Sequence, residues 1–174
     1  MKALIPRPLI AVIGESTFSH PDHRALAEEV GRRIAEAGYG LICGGLTGVM
    51  ETACRGARSV GGLTIGVLMG TEADDANPYI DIAIPTGMGQ MRNVIIVMSA
   101  RAVIAIGGGT GTLSEIGHAL RLGRRVVGLR TWEATINGRP SGVLPAATPE
   151  EAVRLALASA GPVASQGSGP GGPR

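Results

Sequence analysis

In Ala102-Val103-Ile104-Ala105-Ile106-Gly107-Gly108-Gly109-Thr110-Gly111-Thr112-Leu113-Ser114-Glu115 an aliphatic run breaks into glycines and then into a helical pattern. Five consecutive aliphatic residues suit a strand covered on both faces, as in a parallel sheet. The glycines at 107–109 and 111 let the backbone turn sharply and approach a ligand closely. From Thr112 to Leu122 the pattern is helical, so the unit reads strand, turn, helix.

The same unit recurs on both sides. Leu9–Ile13 is a strand ending at Gly14, followed by a polar turn (Glu15, Ser16, Thr17) and a helix from about Asp22 to Ala37. In that helix Leu26, Val30 and Ile34 repeat every four residues, and Gly38 closes it. Leu41–Cys43 is a second strand, broken by Gly44-Gly45 before a helix from about Val49 to Ser59. Leu63–Leu68 is a third, followed by a polar loop (Glu72, Asp74, Asp75, Asn77, Pro78) that is a candidate lid. Ile80–Ile84 is a fourth strand, Gly89–Ala100 a helix, Val126–Leu129 a sixth strand, and Pro149–Ala160 a last helix opened by Thr148.

This alternation predicts an α/β fold: a Rossmann-like, doubly wound, mostly parallel sheet with helices on both faces, in one domain over residues 1–160. From Gly161 the chain is rich in Gly, Pro and Ser, which predicts a disordered tail over 161–174. Ligands on such sheets bind beyond the carboxyl ends of the strands, near a switch in strand order. The turns after Ile13, Cys43 and Ile106 all lie at such ends.

Composition narrows the function. Phe18, Tyr39, Tyr79 and Trp132 are the only aromatic residues, so no stacking platform for nucleic acid is available. The net charge of +2 comes from scattered arginines, which argues against a nucleic-acid partner. No apolar run reaches the ~20 residues of a membrane span. The apolar start is interrupted by Pro6, Arg7 and Pro8, unlike a signal peptide. Cys43 and Cys54 form neither a CxxC pair nor a zinc spacing, which predicts a reduced, cytoplasmic protein without a metal site.

The glycine turn and the helix after it favour a phosphate, because backbone N–H groups and the positive helix end converge there. Thr110 and Thr112 add hydroxyl donors. Candidate phosphate-binding residues are Gly108, Gly109, Thr110, Gly111 and Thr112, with Gly14, Ser16, Gly44, Gly45 and Thr47 from the earlier turns.

The turn is not a P-loop, which needs a lysine after its last glycine, and Lys2 is the only lysine. A dinucleotide fingerprint also matches poorly: position 112 is not glycine, and the second strand ends in Gly44-Gly45 rather than a ribose-binding acid. Thr112-x-x-Glu115 reads either as a capping box or as a site carboxylate.

The stretch Met88 to Glu115 resembles the Lonely Guy-type proteins, long called possible lysine decarboxylases. Their signature is an arginine in a helix, then a strand, then Pro-Gly-Gly-x-Gly-Thr-x-x-Glu. Arg92 and Gly107–Glu115 match it except at the proline, which is Gly107 here, and Gly44–Met50 resembles the family's other glycine turn. Asn93 stands where a lysine usually follows the arginine, and Glu15 intrudes into the first turn. Gly87-Met88-Gly89-Gln90-Met91-Arg92-Asn93 looks more like a bacterial branch similar to molybdenum-cofactor carrier proteins.

The resemblance implies a homodimer or higher homo-oligomer that binds a phosphorylated small molecule, a nucleoside monophosphate or a pterin. It implies either a phosphoribohydrolase with Arg92 and Glu115 as catalytic residues and no required cofactor, or a non-enzymatic carrier of molybdenum cofactor or nucleotide sensor. The decarboxylase label fails on chemistry, because a pyridoxal-phosphate enzyme needs an active-site lysine and Lys2 precedes the first strand. Arg92 is expected to bind a ligand anion or to orient Glu115 through a two-pronged hydrogen bond. His20 and His23 read as a solvated helix start, His118 as lining the pocket or an interface, and Arg124-Arg125 as a solvated turn. Met88, Met91 and Met98 read as core or interface packing, on a helix apolar nearly all round.

Overall fold

A computed structural model describes residues 8–158. Its strands are β1 (Leu9–Gly14), β2 (Gly40–Cys43), β3 (Thr64–Leu68), β4 (Ile82–Pro85), β5 (Ala102–Ile106), β6 (Arg125–Leu129), β7 (Thr135–Ile136), β8 (Arg139–Pro140) and β9 (Val143–Pro145). Seven of them form one sheet in the order β4-β3-β2-β1-β5-β6-β9, and every pairing in that sheet is parallel. Strands β7 and β8 make a separate antiparallel pair. The α-helices are α1 (Asp22–Glu36), α2 (Val49–Arg58), α3 (Asn93–Ser99), α4 (Thr110–Arg121) and α5 (Pro149–Leu157). This is the doubly wound α/β architecture expected from the alternation.

The chain winds from β1 out to β4, then crosses back to place β5 on the other side of β1. The order therefore switches between β1 and β5, whose ends lie side by side with Gly14 opposite Ile106. A side chain at Gly14 would collide with the Ile106 carbonyl oxygen at 2.4 Å. Strands β1, β2 and β5 are buried on both faces, as their aliphatic runs require. Ile10, Ile13, Leu41, Ile104 and Ile106 are among the largest fully buried side chains. Each contributes roughly 1.5–3 kcal/mol by leaving water.

Several expectations change. The helix expected over Gly89–Ala100 begins with a 3-10 turn at Gly89–Arg92 before α3. Helix α3 buries Ile96 and Val97 within this chain, whereas Met88, Met91 and Met98 are exposed, so the methionines are not core. Helix α4 starts at Thr110, inside the expected glycine turn, and no side chain caps it, so Thr112 and Glu115 are not a capping box. The fourth strand is shifted to Ile82–Pro85, because Asn77 and Tyr79 form a turn ahead of it. The acidic loop is anchored at its far end, where the buried Asn77 donates to the Gly45 and Leu46 carbonyls, while Glu72, Asp74 and Asp75 are exposed. Arg124 and Arg125 donate to the carbonyls of Met98, Leu155 and Ala158 rather than sitting in solvent.

Strands β7, β8 and β9 carry too few residues to show a period, and the sequence did not announce them. Lys2, Ser159, Ala160 and the expected tail 161–174 lie outside the described residues. Among the described residues no helix is long and apolar enough to cross a membrane.

Helices α1 and α2 touch backbone to backbone. A Cβ on Gly31 would lie 1.9 Å from the Ala53 carbonyl oxygen, and one on Gly56 1.9 Å from the Glu28 carbonyl oxygen. Gly56→Ala is expected to lower the unfolding free energy by about 2–3 kcal/mol through overpacking. A urea titration with an unchanged midpoint would contradict that contact.

Candidate functional site

The switch between β1 and β5 opens into a pocket of about 370 Å³. Its walls come from the β1 turn (Gly14, Glu15, Ser16), the β2 turn (Gly44), the 3-10 turn carrying Arg92, and the start of α4 (Gly109–Thr112, Glu115). Of the residues singled out in the sequence, Gly14, Ser16, Gly44, Arg92, Gly109, Thr110, Gly111, Thr112 and Glu115 thus meet at one place.

Gly45, Thr47 and Gly108 do not line the pocket, and each has a local task instead. Gly45 donates its N–H to Cys43 Sγ, and Thr47 donates its hydroxyl to the Ser16 carbonyl. The Gly108 N–H donates to Glu15 Oε2 at 3.3 Å.

At the start of α4 the first helical bond is Leu113 N–H to the Gly109 carbonyl. The N–H groups of Thr110, Gly111 and Thr112 therefore precede the intrahelical ladder and have no acceptor within it. The helix dipole adds partial positive charge at the same end. Thr131 donates to the Gly107 carbonyl and Trp132 Nε1 to the Gly109 carbonyl, which fixes this turn from the β6 side.

Arg92 and Glu115 are 4% and 7% exposed. Gly44 makes the arginine's position possible, because a Cβ there would lie 2.4 Å from Arg92 Nη2. Nη1 donates to Asn93 Oδ1 and Nη2 to the Gly44 carbonyl, while buried Nε has no partner among the described residues. No hydrogen bond or ion pair joins Arg92 to Glu115 there, so the expected two-pronged contact is absent. Burial pushes the Glu115 carboxyl up to about 7, although the Arg92 charge pulls the other way. Burial likewise lowers the Arg92 guanidinium from its ordinary value, against the field of Glu115.

His23 is buried rather than solvated: its Nδ1 lies 2.7 Å from Glu15 Oε1. Burial pushes Glu15 up, but hydrogen bonds from His23, Ser19 and Gly108 outweigh it and hold the carboxyl at about 2. Sequence reasoning missed this pair; the eight-residue interval between Glu15 and His23 spans a loop and has no motif to mark it. His20 is exposed beside Asp22, and His118 is exposed on α4 outside the pocket. Cys43 and Cys54 are free and buried, with Sγ atoms 3.5 Å apart.

Residues 7–153 match the model of the SLOG cluster4 family. The chain belongs to that family. A protein of Archaeoglobus fulgidus is 45% identical over 150 residues, 86% of this chain and 95% of its own length. The solved molybdenum cofactor binding protein from Rippkaea orientalis shares 36% identity at a TM-score of 0.80, over 87% of this chain and 96% of that one. The cytokinin riboside 5′-monophosphate phosphoribohydrolase of Mycobacterium marinum is 33% identical over 110 residues, which are 62% of this chain and 59% of that enzyme. The Lonely Guy-type resemblance and its molybdenum-cofactor branch both hold.

The raised Glu115 value sets a pH dependence. Between its ordinary value near 4.5 and about 7 the unfolded chain ionises while folded Glu115 keeps its proton, so stability is full below 4.5 and falls as pH rises to 7. The fall is on the order of 3 kcal/mol. In urea titrations across this range Glu115→Gln is expected to remove that component; an identical pH slope in both proteins would contradict the burial account.

Proposed function

We propose that the pocket binds a nucleoside 5′-monophosphate, with its phosphate on the first turn of α4, and that Glu115 and Arg92 promote cleavage of its N-glycosidic bond. The products are free base and ribose 5-phosphate. The observation that carries this reading is a buried, unpaired carboxyl facing the same pocket as a row of amides without helical acceptors.

Amides at a helix start receive phosphate oxygens, and the dipole favours their charge. Glycosidic cleavage passes through an oxocarbenium-like state at the sugar carbon. A carboxylate in a dry site stabilises that charge and orients the attacking water. Near neutral pH Glu115 is present in both protonation states, which suits it to take a proton from water. The water oxygen bonds to the sugar carbon, the glycosidic electron pair leaves with the base, and the proton ends on the base. Arg92, which lines the same pocket, offers its positive charge to a ligand oxygen.

A second reading is a non-enzymatic carrier of a phosphorylated pterin such as molybdenum cofactor, seated in the same place. It is favoured by the extent of likeness, which spans 96% of the Rippkaea orientalis protein and 59% of the Mycobacterium marinum enzyme.

Chromatography of a panel of nucleoside 5′-monophosphates tests the choice. The hydrolase reading expects free base from wild type, with Glu115→Gln slower by about 10²- to 10⁴-fold. No release across the panel, alongside calorimetric binding of molybdenum cofactor, would reject hydrolysis for those substrates and support the carrier.

A further inference from the structure

Four donors converge on the Glu15 carboxylate: the Ser19 N–H, the Ser19 hydroxyl, His23 Nδ1 and the Gly108 N–H. Such a ring of donors is the chemistry of an anion receptor. The chain fills this receptor with its own side chain. Of these residues Glu15 is the one that lines the pocket, and its carboxylate already occupies the donors of Ser19, His23 and Gly108.

Gly107 belongs to the same arrangement. A Cβ there would lie 2.7 Å from His23 Nδ1 and 3.0 Å from the Glu15 carboxyl carbon. Its φ is +57°, which a proline ring cannot adopt. Two of the three departures from the Lonely Guy-type pattern, Glu15 and Gly107, are therefore one structural unit: the glycine leaves room for the carboxylate and its histidine.

We propose that Glu15 is a specificity-determining residue, an internal anion that fills the seat beside the start of α4 and limits the pocket to ligands with a single phosphate. This rests on the proposed phosphate seat at Thr110–Thr112. The buried and unpartnered Arg92 Nε in the same pocket points independently to a ligand there. A second phosphate next to the first meets a fixed negative charge and finds the neighbouring donors taken. Like charges brought together in this way penalise the wrong ligand strongly.

Calorimetric titration of the full chain with inorganic phosphate and inorganic pyrophosphate tests the proposal, using wild type and Glu15→Gln. An open receptor favours the more highly charged pyrophosphate. Wild type is expected to prefer phosphate, and Glu15→Gln to shift the ratio toward pyrophosphate by about tenfold. An unchanged ratio in a variant that circular dichroism shows to be folded overturns the role of Glu15. If the variant does not fold, wild type decides alone: pyrophosphate bound as tightly as phosphate overturns it. Failure of wild type to bind either anion removes the phosphate seat itself, a different failure, and takes this inference with it.

Discussion

The carboxyl ends of β1 and β5 lie so close that Gly14 has no room for a side chain beside the Ile106 carbonyl. That contact joins two turns far apart in sequence, and the pocket follows from it. Parallel neighbours release their chains on the same edge of the sheet, and at a switch in strand order the two chains leave in opposite directions. The start of α4 and the Glu15 turn consequently face a common space. Gly44 completes it from the β2 side by leaving room for Arg92.

Burial then shapes the chemistry of three charged side chains in different ways. Glu15 is held ionised, because four donors surround it. Glu115 receives no such donor among the described residues and is shifted toward its neutral form by the cost of desolvation. Arg92 keeps two bonds and a buried Nε that has no partner among the described residues. Two carboxyl groups in one pocket are thereby driven apart in protonation, the arrangement by which a site separates a fixed charge from a group that exchanges protons.

The strands and helices that carry the site were legible because each aliphatic run and each four-residue period is long enough to be read. Gly107–Glu115 announced the turn, and Arg92 and Glu115 were recognisable through the family signature. What escaped was held together by tertiary contacts. The Glu15–His23 bond joins a turn to a helix face, and the Gly108 amide reaches across from another strand. In sequence Glu15 reads as an intrusion into a phosphate turn; in three dimensions it supplies the anion that its neighbours bind. Strand β9 is paired to β6 through three residues, too short a run to reveal itself.

Amide shifts in a two-dimensional NMR titration with inorganic phosphate test the central claim, that an external anion sits on the α4 start while Glu15 holds the adjacent donor. The account predicts that the Thr110, Gly111 and Thr112 amides move with added phosphate and that Gly108 stays with Glu15. A Gly108 amide that responds as strongly as those three, or an α4 start that does not respond at all, would contradict it.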